Sequence, residues 1–396
     1  MNFQIFNDQY KRRYDASKQY DENDIFIFFD PTWRHPDYPD GLAFFDTKHN
    51  CAAILGMSYF GEIKKGTLTL AWATAARNNY VSCHGGLKIF RKEGDSYVAS
   101  FFGLSGSGKS TLTHAKHDDK YDIEVLHDDA FVISVEDGSS VALEPSYFDK
   151  TNDYPAGHRE QDYFVTVQNC GVTLDENGRK VLVTEDIRNG NGRTIKSRYS
   201  TPNRVDKIQE PIQSIFWIMK DDALPPLVKI TDPRLASILG CTLMTKRSNA
   251  ENTGAGANLD ALVIEPYANP FRVYPLVEDY EKFKALFDKG VDCYIINTGD
   301  YLGKKVTKEV SLGVIETVVD GKANFELFGG LPGMEYLPVE GYEVPEMNGD
   351  YAELIRDRMQ FRLDYLKAFN DANPEHQIPQ DALESIKTIE RFIDVL

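Results

Sequence analysis

The sequence predicts an α/β fold with mixed sheets, on three observations. Apolar runs of strand length alternate with turn signals along most of the chain. A glycine-rich loop stands between a strand-like run, Tyr97 to Phe102, and a helix-like one beginning at Ser110-Thr111-Leu112-Thr113. Tyr351, Ile355, Met359, Leu363 and Leu366 recur at helical spacing among charges. Strand-length and helical patterns in one chain, separated by loops, are the marks of strands and helices packed in layers.

The first apolar run, Ile25-Phe26-Ile27-Phe28-Phe29, is closed by Asp30-Pro31 and reads as a buried strand. Cys51 to Gly56 and Gly66 to Trp72 read as further short elements around a charged turn at Glu62-Ile63-Lys64-Lys65. Glu136-Asp137-Gly138, Glu176-Asn177-Gly178 and Val319-Asp320-Gly321 each divide β-favouring runs, as hairpin turns do, so a purely parallel sheet is not expected. Asn252 to Asn258 has small side chains and no periodicity, which predicts a loop. The stripe from Tyr351 to Leu366 predicts a surface helix with one face on the domain's own core.

With 396 residues the chain exceeds the size at which single cores stop growing, about 250–300 residues, so two lobes are expected, 1–86 and 87–396. The net charge of -17 argues against a nucleic-acid partner or an anionic membrane surface, since both demand clustered Lys and Arg. Any anionic ligand must therefore be held by local cations. No amino-terminal signal pattern and no membrane-length apolar run occur, and five widely spaced cysteines suit a reducing compartment, so a cytoplasmic protein is expected.

Gly103-Leu104-Ser105-Gly106-Ser107-Gly108-Lys109-Ser110-Thr111 fits the pattern of a phosphate-binding P-loop. Glycines at 106 and 108 allow backbone N–H groups to turn inward on phosphates, and the following helix start adds its positive dipole end. Lys109 then reaches the β- and γ-phosphates and Ser110 ligates Mg²⁺. Beyond it, Leu126-His127-Asp128-Asp129 follows an apolar approach, and paired carboxylates behind such a loop suit divalent cations.

Together these segments resemble ATP-dependent phosphoenolpyruvate carboxykinases, as a short and diverged member. Tyr59-Phe60-Gly61-Glu62-Ile63-Lys64-Lys65-Gly66 looks like the family's Tyr-x-Gly-Glu-Met-Lys-Lys-Gly segment, and His84 follows Lys65 by nineteen residues, as the family's metal-binding His follows its Lys. Phe101 to Thr111 is close to the family's P-loop, and Asp128-Asp129 falls on its acidic pair. Leu143 to Thr151, including Glu144 and Lys150, looks like Phe-Glu-Gly-Gly-Cys-Tyr-Ala-Lys-Thr, and Arg198 matches an Arg that precedes a Pro. Asp221-Asp222-Ala223-Leu224-Pro225-Pro226 and Asn297-Thr298-Gly299 with Lys304-Lys305 follow in the family's order. The likeness spans about two-thirds of the chain. Two departures stand out. The family's Arg-Ser-Pro-x-Asp-Lys segment, whose Arg holds the substrate carboxylate, does not occur among the 58 residues before Tyr59, and the adenine-side Arg is replaced by Lys305.

The resemblance implies a P-loop-containing fold of that family with a reduced amino-terminal lobe, and decarboxylation of oxaloacetate followed by phosphoryl transfer from ATP to the enolate. It implies Mn²⁺ on Lys65, His84 and Asp129, with a neutral Lys65 favoured by the metal and by neighbouring Lys64, and Mg²⁺ at Ser110 and Asp128. Lys64, Lys65, Lys109, Arg198, Tyr59 and Ser105 are the implied catalytic residues. Gly106, Ser107, Gly108, Lys109, Ser110, Thr111, Lys150 and Lys305 are the implied nucleotide contacts. The substrate carboxylate needs another cation, for which Arg12, Arg13 and Arg34 are the candidates. Two alternatives stay open: a diverged kinase of this frame acting on another small acid or a protein hydroxyl, as HPr kinases do, and a nucleotide-binding regulator without catalysis.

Overall fold

The computed structural model describes residues 22–104, 106–144, 146–185, 190–197, 202–246 and 261–396. Chain contacts divide it into a smaller unit, Met1–Asp21 with Glu144–Asp206, and a larger one, Glu22–Leu143 with Lys207–Leu396. The boundary expected near residue 86 falls within an unbroken strand, because Gly85 and Gly86, which read as punctuation, are part of its ladder.

In the larger unit, β1 (Phe26–Asp30), β2 (Leu42–Asp46) and β3 (Cys51–Leu55) form a sheet with β3 in the middle. The first apolar run is thus a strand, yet not a buried one: Phe26 and Phe28 are 63% and 64% exposed. Its alternate residues face solvent because β1 lies at a sheet edge, while Ala52 and Ile54 of β3 fill the covered face. The turn expected at Glu62–Lys65 is instead the opening of an 18-residue helix, α1 (Phe60–Arg77). Gly66 looks like a breaker but serves close packing, since a Cβ there would lie 2.9 Å from Ile54 Cδ1. Gly61, Lys64, Leu68 and Trp72 make one buried stripe along the helix.

The remaining elements are β4 (Tyr80–Lys92), β5 (Asp95–Phe102), α2 (Lys109–His114), β6 (Asp122–His127), β7 (Ala130–Ser134), β8 (Ser140–Ala142), β9 (Ser214–Met219), β10 (Leu227–Ile230), α3 (Pro233–Cys241), α4 (Leu276–Asp288), β11 (Asp292–Asn297), α5 (Lys308–Val319), β12 (Met334–Tyr336), α6 (Gly349–Ala372) and α7 (Gln380–Ile393). An eleven-stranded sheet runs from Lys207–Ile208 through β8, β7, β4, β5, β9, β11, β10 and β12 to Glu326–Leu327, with β6 also paired to β4. β5, β9 and β11 are mutually parallel and their neighbours antiparallel, so the sheet is mixed as expected. Successive residues of β5 show how helices cover both faces. Phe101 stacks on Phe216 at 5.1 Å, in a core that includes Val314 and Ile315 of α5. Phe102 meets Trp217 at 5.1 Å and Phe283 of α4 at 5.7 Å.

Two of the three expected hairpin turns are hairpins. Glu136-Asp137-Gly138 joins β7 to β8, and Glu176-Asn177-Gly178 joins Gly171–Leu174 to Lys180–Val183 in the smaller unit. Val319-Asp320-Gly321 instead ends α5, where the valines before it belong to a buried helical stripe. The stripe from Tyr351 to Leu366 is buried along α6. The loop expected at Asn252–Asn258 lies outside the described residues. Among those described, no helix is long and apolar enough to cross a membrane.

The close approach of α2 to the sheet depends on Gly86: a Cβ there would lie 1.9 Å from Thr113 Oγ1. Gly86→Ala should therefore push α2 outward and destabilise the protein by about 1–3 kcal/mol, as overpacking does. Thermal unfolding measures this; an unchanged midpoint would show that α2 does not rest on this strand.

Candidate functional site

The three parallel strands carry their following loops to one edge of the sheet, the place where open α/β sheets bind ligands. β5 leads into the glycine loop, β9 into Lys220-Asp221, and β11 into Thr298. The neighbours hold the loop by its carbonyls: Lys220 Nζ donates to Gly106 O at 2.7 Å and Thr298 Oγ1 to Ser107 O at 2.7 Å. Lys305 Nζ donates in turn to Thr298 O at 3.2 Å. Gly106 (φ +75) and Gly108 (φ +102) take left-handed conformations that side chains disfavour, and Gly108 caps α2. Gly106, Ser110 and Thr111 are exposed at the loop, whereas Ser107 is buried.

Strand register brings the second group of residues to the same loop. β4 pairs antiparallel with β7 so that His84 stands opposite Ala130, and Gly85 N donates to Asp129 O at 3.0 Å. Asp129 is thereby set beside His84. His127 shapes the turn, its Nδ1 accepting from Asp129 N at 3.0 Å and Ala130 N at 3.2 Å. Asp129 Oδ2 then accepts from Lys65 Nζ at 2.8 Å and Lys64 Nζ at 3.0 Å, while Oδ1 lies 3.0 Å from His84 Nε2 and 3.8 Å from Lys109 Nζ. Asp128 lies 3.3 Å from His114 Nε2. Burial works to raise the Asp129 carboxyl, but Lys65, Lys64 and His84 hold it well below the ordinary range. Asp128 is lowered too, against its own burial, by His114 and His127.

His84 decides what this cluster can hold. Its Nδ1 donates to the Ala268 carbonyl. Burial, and then Lys109, push its pKa down to about 4, so the ring is neutral at ordinary pH. Its Nε2 lies 3.0 Å from Asp129 Oδ1. One amine, one imidazole and one carboxylate suit a divalent transition metal. Lys65, His84 and Asp129 fit such an ion. Its orientation comes from strained backbone: Tyr267 and Ala268 both have φ +53, a conformation non-glycine residues seldom adopt. Tyr267 is locked by stacking on Phe283 at 4.4 Å and by its hydroxyl contacts with Ser237.

An aromatic wall closes the cluster. Phe271 lies edge-on to His84 at 5.5 Å, has Lys65 Nζ 4.8 Å from its ring centre, and stacks with Trp72. Sequence reasoning did not single out Phe271, His127 or Lys220 for these parts; Lys220 had a usable signal, a lysine directly after the apolar run Ile215–Met219. Tyr59 stands at the amino end of α1, before Lys64 and Lys65. Lys150 ends strand Tyr147–Lys150 of the smaller unit. Ser105 and Arg198 lie outside the described residues, as do Arg12 and Arg13. Arg34 is described, with its guanidinium on the Pro31 and Trp33 carbonyls of its own turn at 2.8 and 2.6 Å.

The family model described as phosphoenolpyruvate carboxykinase matches residues 15–347, most of the chain. The chain belongs to the phosphoenolpyruvate carboxykinase family. Two relatives illustrate its distance within the family. The phosphoenolpyruvate carboxykinase (ATP) of Aeropyrum pernix is 24% identical over 363 residues, 82% of this chain and 70% of the relative. The glycosomal phosphoenolpyruvate carboxykinase (ATP) of Trypanosoma brucei brucei is 25% identical over 305 residues, 70% of this chain and 60% of the relative. Membership in this family implies use of ATP and a divalent metal.

On the reading that His84 is a metal ligand, His84→Gln should weaken Mn²⁺ binding by on the order of tenfold or more while ATP affinity changes little. Titration calorimetry of the folded variant measures both; unchanged Mn²⁺ affinity would remove His84 from the ligand set.

Proposed function

We propose that the chain catalyses the ATP-dependent conversion of oxaloacetate to phosphoenolpyruvate, ADP and CO₂. The observation that carries this reading is the convergence of Lys64, Lys65, His84 and Lys109 on Asp129 beside a glycine loop, in a member of this family. Three ammonium groups on one carboxylate form a local positive field in a chain of net charge -17, which an anionic nucleotide and an anionic acid both require.

In this reading the inward N–H groups of Gly106 to Lys109 cradle the nucleotide phosphates. Lys109 neutralises charge on the γ-phosphoryl group as its bond to the β-phosphate oxygen breaks and a bond to the enolate oxygen forms. Such transfer depends on positioning and electrostatics. Tyr59, at the start of α1, faces the substrate. Lys65, His84 and Asp129 would hold Mn²⁺, and Ser110 with Asp128 Mg²⁺. Metal bound there supplies Lewis-acid stabilisation of developing negative charge. Lys305 contacts the nucleotide, as a point charge where an Arg would stack. Five widely spaced cysteines fit a reducing, cytoplasmic setting.

A second reading is a kinase of this frame with another acceptor. The two are separated by supplying ATP, Mg²⁺, Mn²⁺ and oxaloacetate. The carboxykinase reading predicts phosphoenolpyruvate and ADP in equal amounts, lost by about 10²–10³-fold in a folded Lys109→Met variant. Phosphate transfer from ATP to another acceptor, without that interconversion, would overturn it in favour of the kinase.

A further inference from the structure

His84, Gly86 and Lys88 project from the same face of β4, two residues apart, and α2 lies along that face. His84 approaches Lys109 and Asp129 at the start of the helix, and Gly86 leaves room for Thr113. Lys88 serves the other end. It is wholly buried, and its ammonium donates to Leu112 O at 2.6 Å and Ala115 O at 3.1 Å, carbonyls that a helix end leaves without intrahelical partners. Its third contact is His117 Nε2 at 3.0 Å. His117 Nδ1 meets Glu316 Oε1 of α5 at 2.9 Å. Glu316 Oε2 pairs with Lys120, which pairs with Asp320, which accepts from Tyr121. These, with the rings of Phe90 and Phe101 at 4.6 and 5.7 Å, are the titratable and aromatic groups around the lysine.

We propose that Lys88 is a positioning residue for phosphate binding: it holds the carboxyl end of α2 and so sets Lys109 and Ser110 on the loop, while His117 and Glu316 link it to the surface. The proposal rests on the phosphate-binding reading of the loop. An ammonium has three donors for these three acceptors; a neutral amine has two, so deprotonation releases one hold on the helix. Burial pushes the Lys88 pKa down to about 7, with Glu316 pulling the other way. The unfolded chain keeps that proton to higher pH, so between about 7 and the ordinary lysine value of 10.5 folding stability gained from this group rises with pH. A lysine kept only for stability would therefore show no loss above pH 7, whereas one that positions the loop shows weaker nucleotide binding there.

The test is ATP binding by calorimetry from pH 6.5 to 9, with thermal unfolding of the same samples. Lys88→Met should bind ATP about tenfold more weakly at pH 6.5 without a matching fall in unfolding temperature, and should lose the part of the pH dependence that wild type shows. Glu316→Gln, altered at a partly exposed side chain, should fold and move the wild-type loss of affinity to lower pH. Wild-type affinity and pH profile in folded Lys88→Met, or an unmoved profile in Glu316→Gln, would overturn the proposal; should Lys88→Met not fold, Glu316→Gln decides alone. Binding does not depend on the acceptor, so the proposal survives a chain that fails to make phosphoenolpyruvate. Lack of any ATP binding would sink the loop reading itself.

Discussion

Asp129 is the group on which the site depends. One carboxylate stands within 4 Å of three ammonium nitrogens and an imidazole nitrogen, and its two oxygens divide them. Without that carboxylate, Lys64, Lys65 and Lys109 would repel one another in a partly buried space where charge is weakly screened. With it, three cations are kept ready for phosphates while the carboxylate stays ionised. On the proposed metal reading, a divalent cation would take over this carboxylate and Lys65 would exchange its pairing with Asp129 for the metal. Metal binding and the release of a lysine proton are coupled there.

The sheet explains why these groups meet. His84 is beside Asp129 because β4 and β7 pair antiparallel with His84 opposite Ala130. A shift of one residue would turn His84 to the opposite face of the strand. Lys64 and Lys65 arrive from α1, whose buried stripe of Gly61, Lys64, Leu68 and Trp72 sets its rotation. The loop arrives from β5, fixed laterally by parallel pairing with β9 and, through it, β11. Behind His84, the Tyr267-Ala268 pair, both residues in the left-handed region, aims one carbonyl at Nδ1.

The glycine loop was legible from sequence because its chemistry is contiguous: strand, glycines, lysine and helix start follow one another in order. Lys65, His84 and Asp129 were legible only through the resemblance, since nothing local in the sequence joins residues separated by 19 and 45 positions. Phe271, His127, Lys220 and Lys88 depend on register and on which face of an element is turned inward, which composition does not express. The opening of α1 reads as a charged turn because charges between two apolar runs give no sign that Lys64 faces inward on a helix. β1 was misread as buried because five consecutive apolar residues do not reveal that alternate ones face out at a sheet edge. The carboxylate-binding cation was not legible at all: the candidates Arg12 and Arg13 lie outside the described residues, and Arg34 is engaged by its own turn.

The most direct test of the central role of Asp129 is a crystal structure of the protein with Mn²⁺ and ATP. The account predicts one Mn²⁺ at about 2.0–2.3 Å from Lys65 Nζ, His84 Nε2 and an Asp129 oxygen, with the Lys65–Asp129 ion pair opened and Lys109 on the phosphates. A metal-saturated crystal in which Lys65 still pairs with Asp129, and Mn²⁺ sits on other residues, would contradict it.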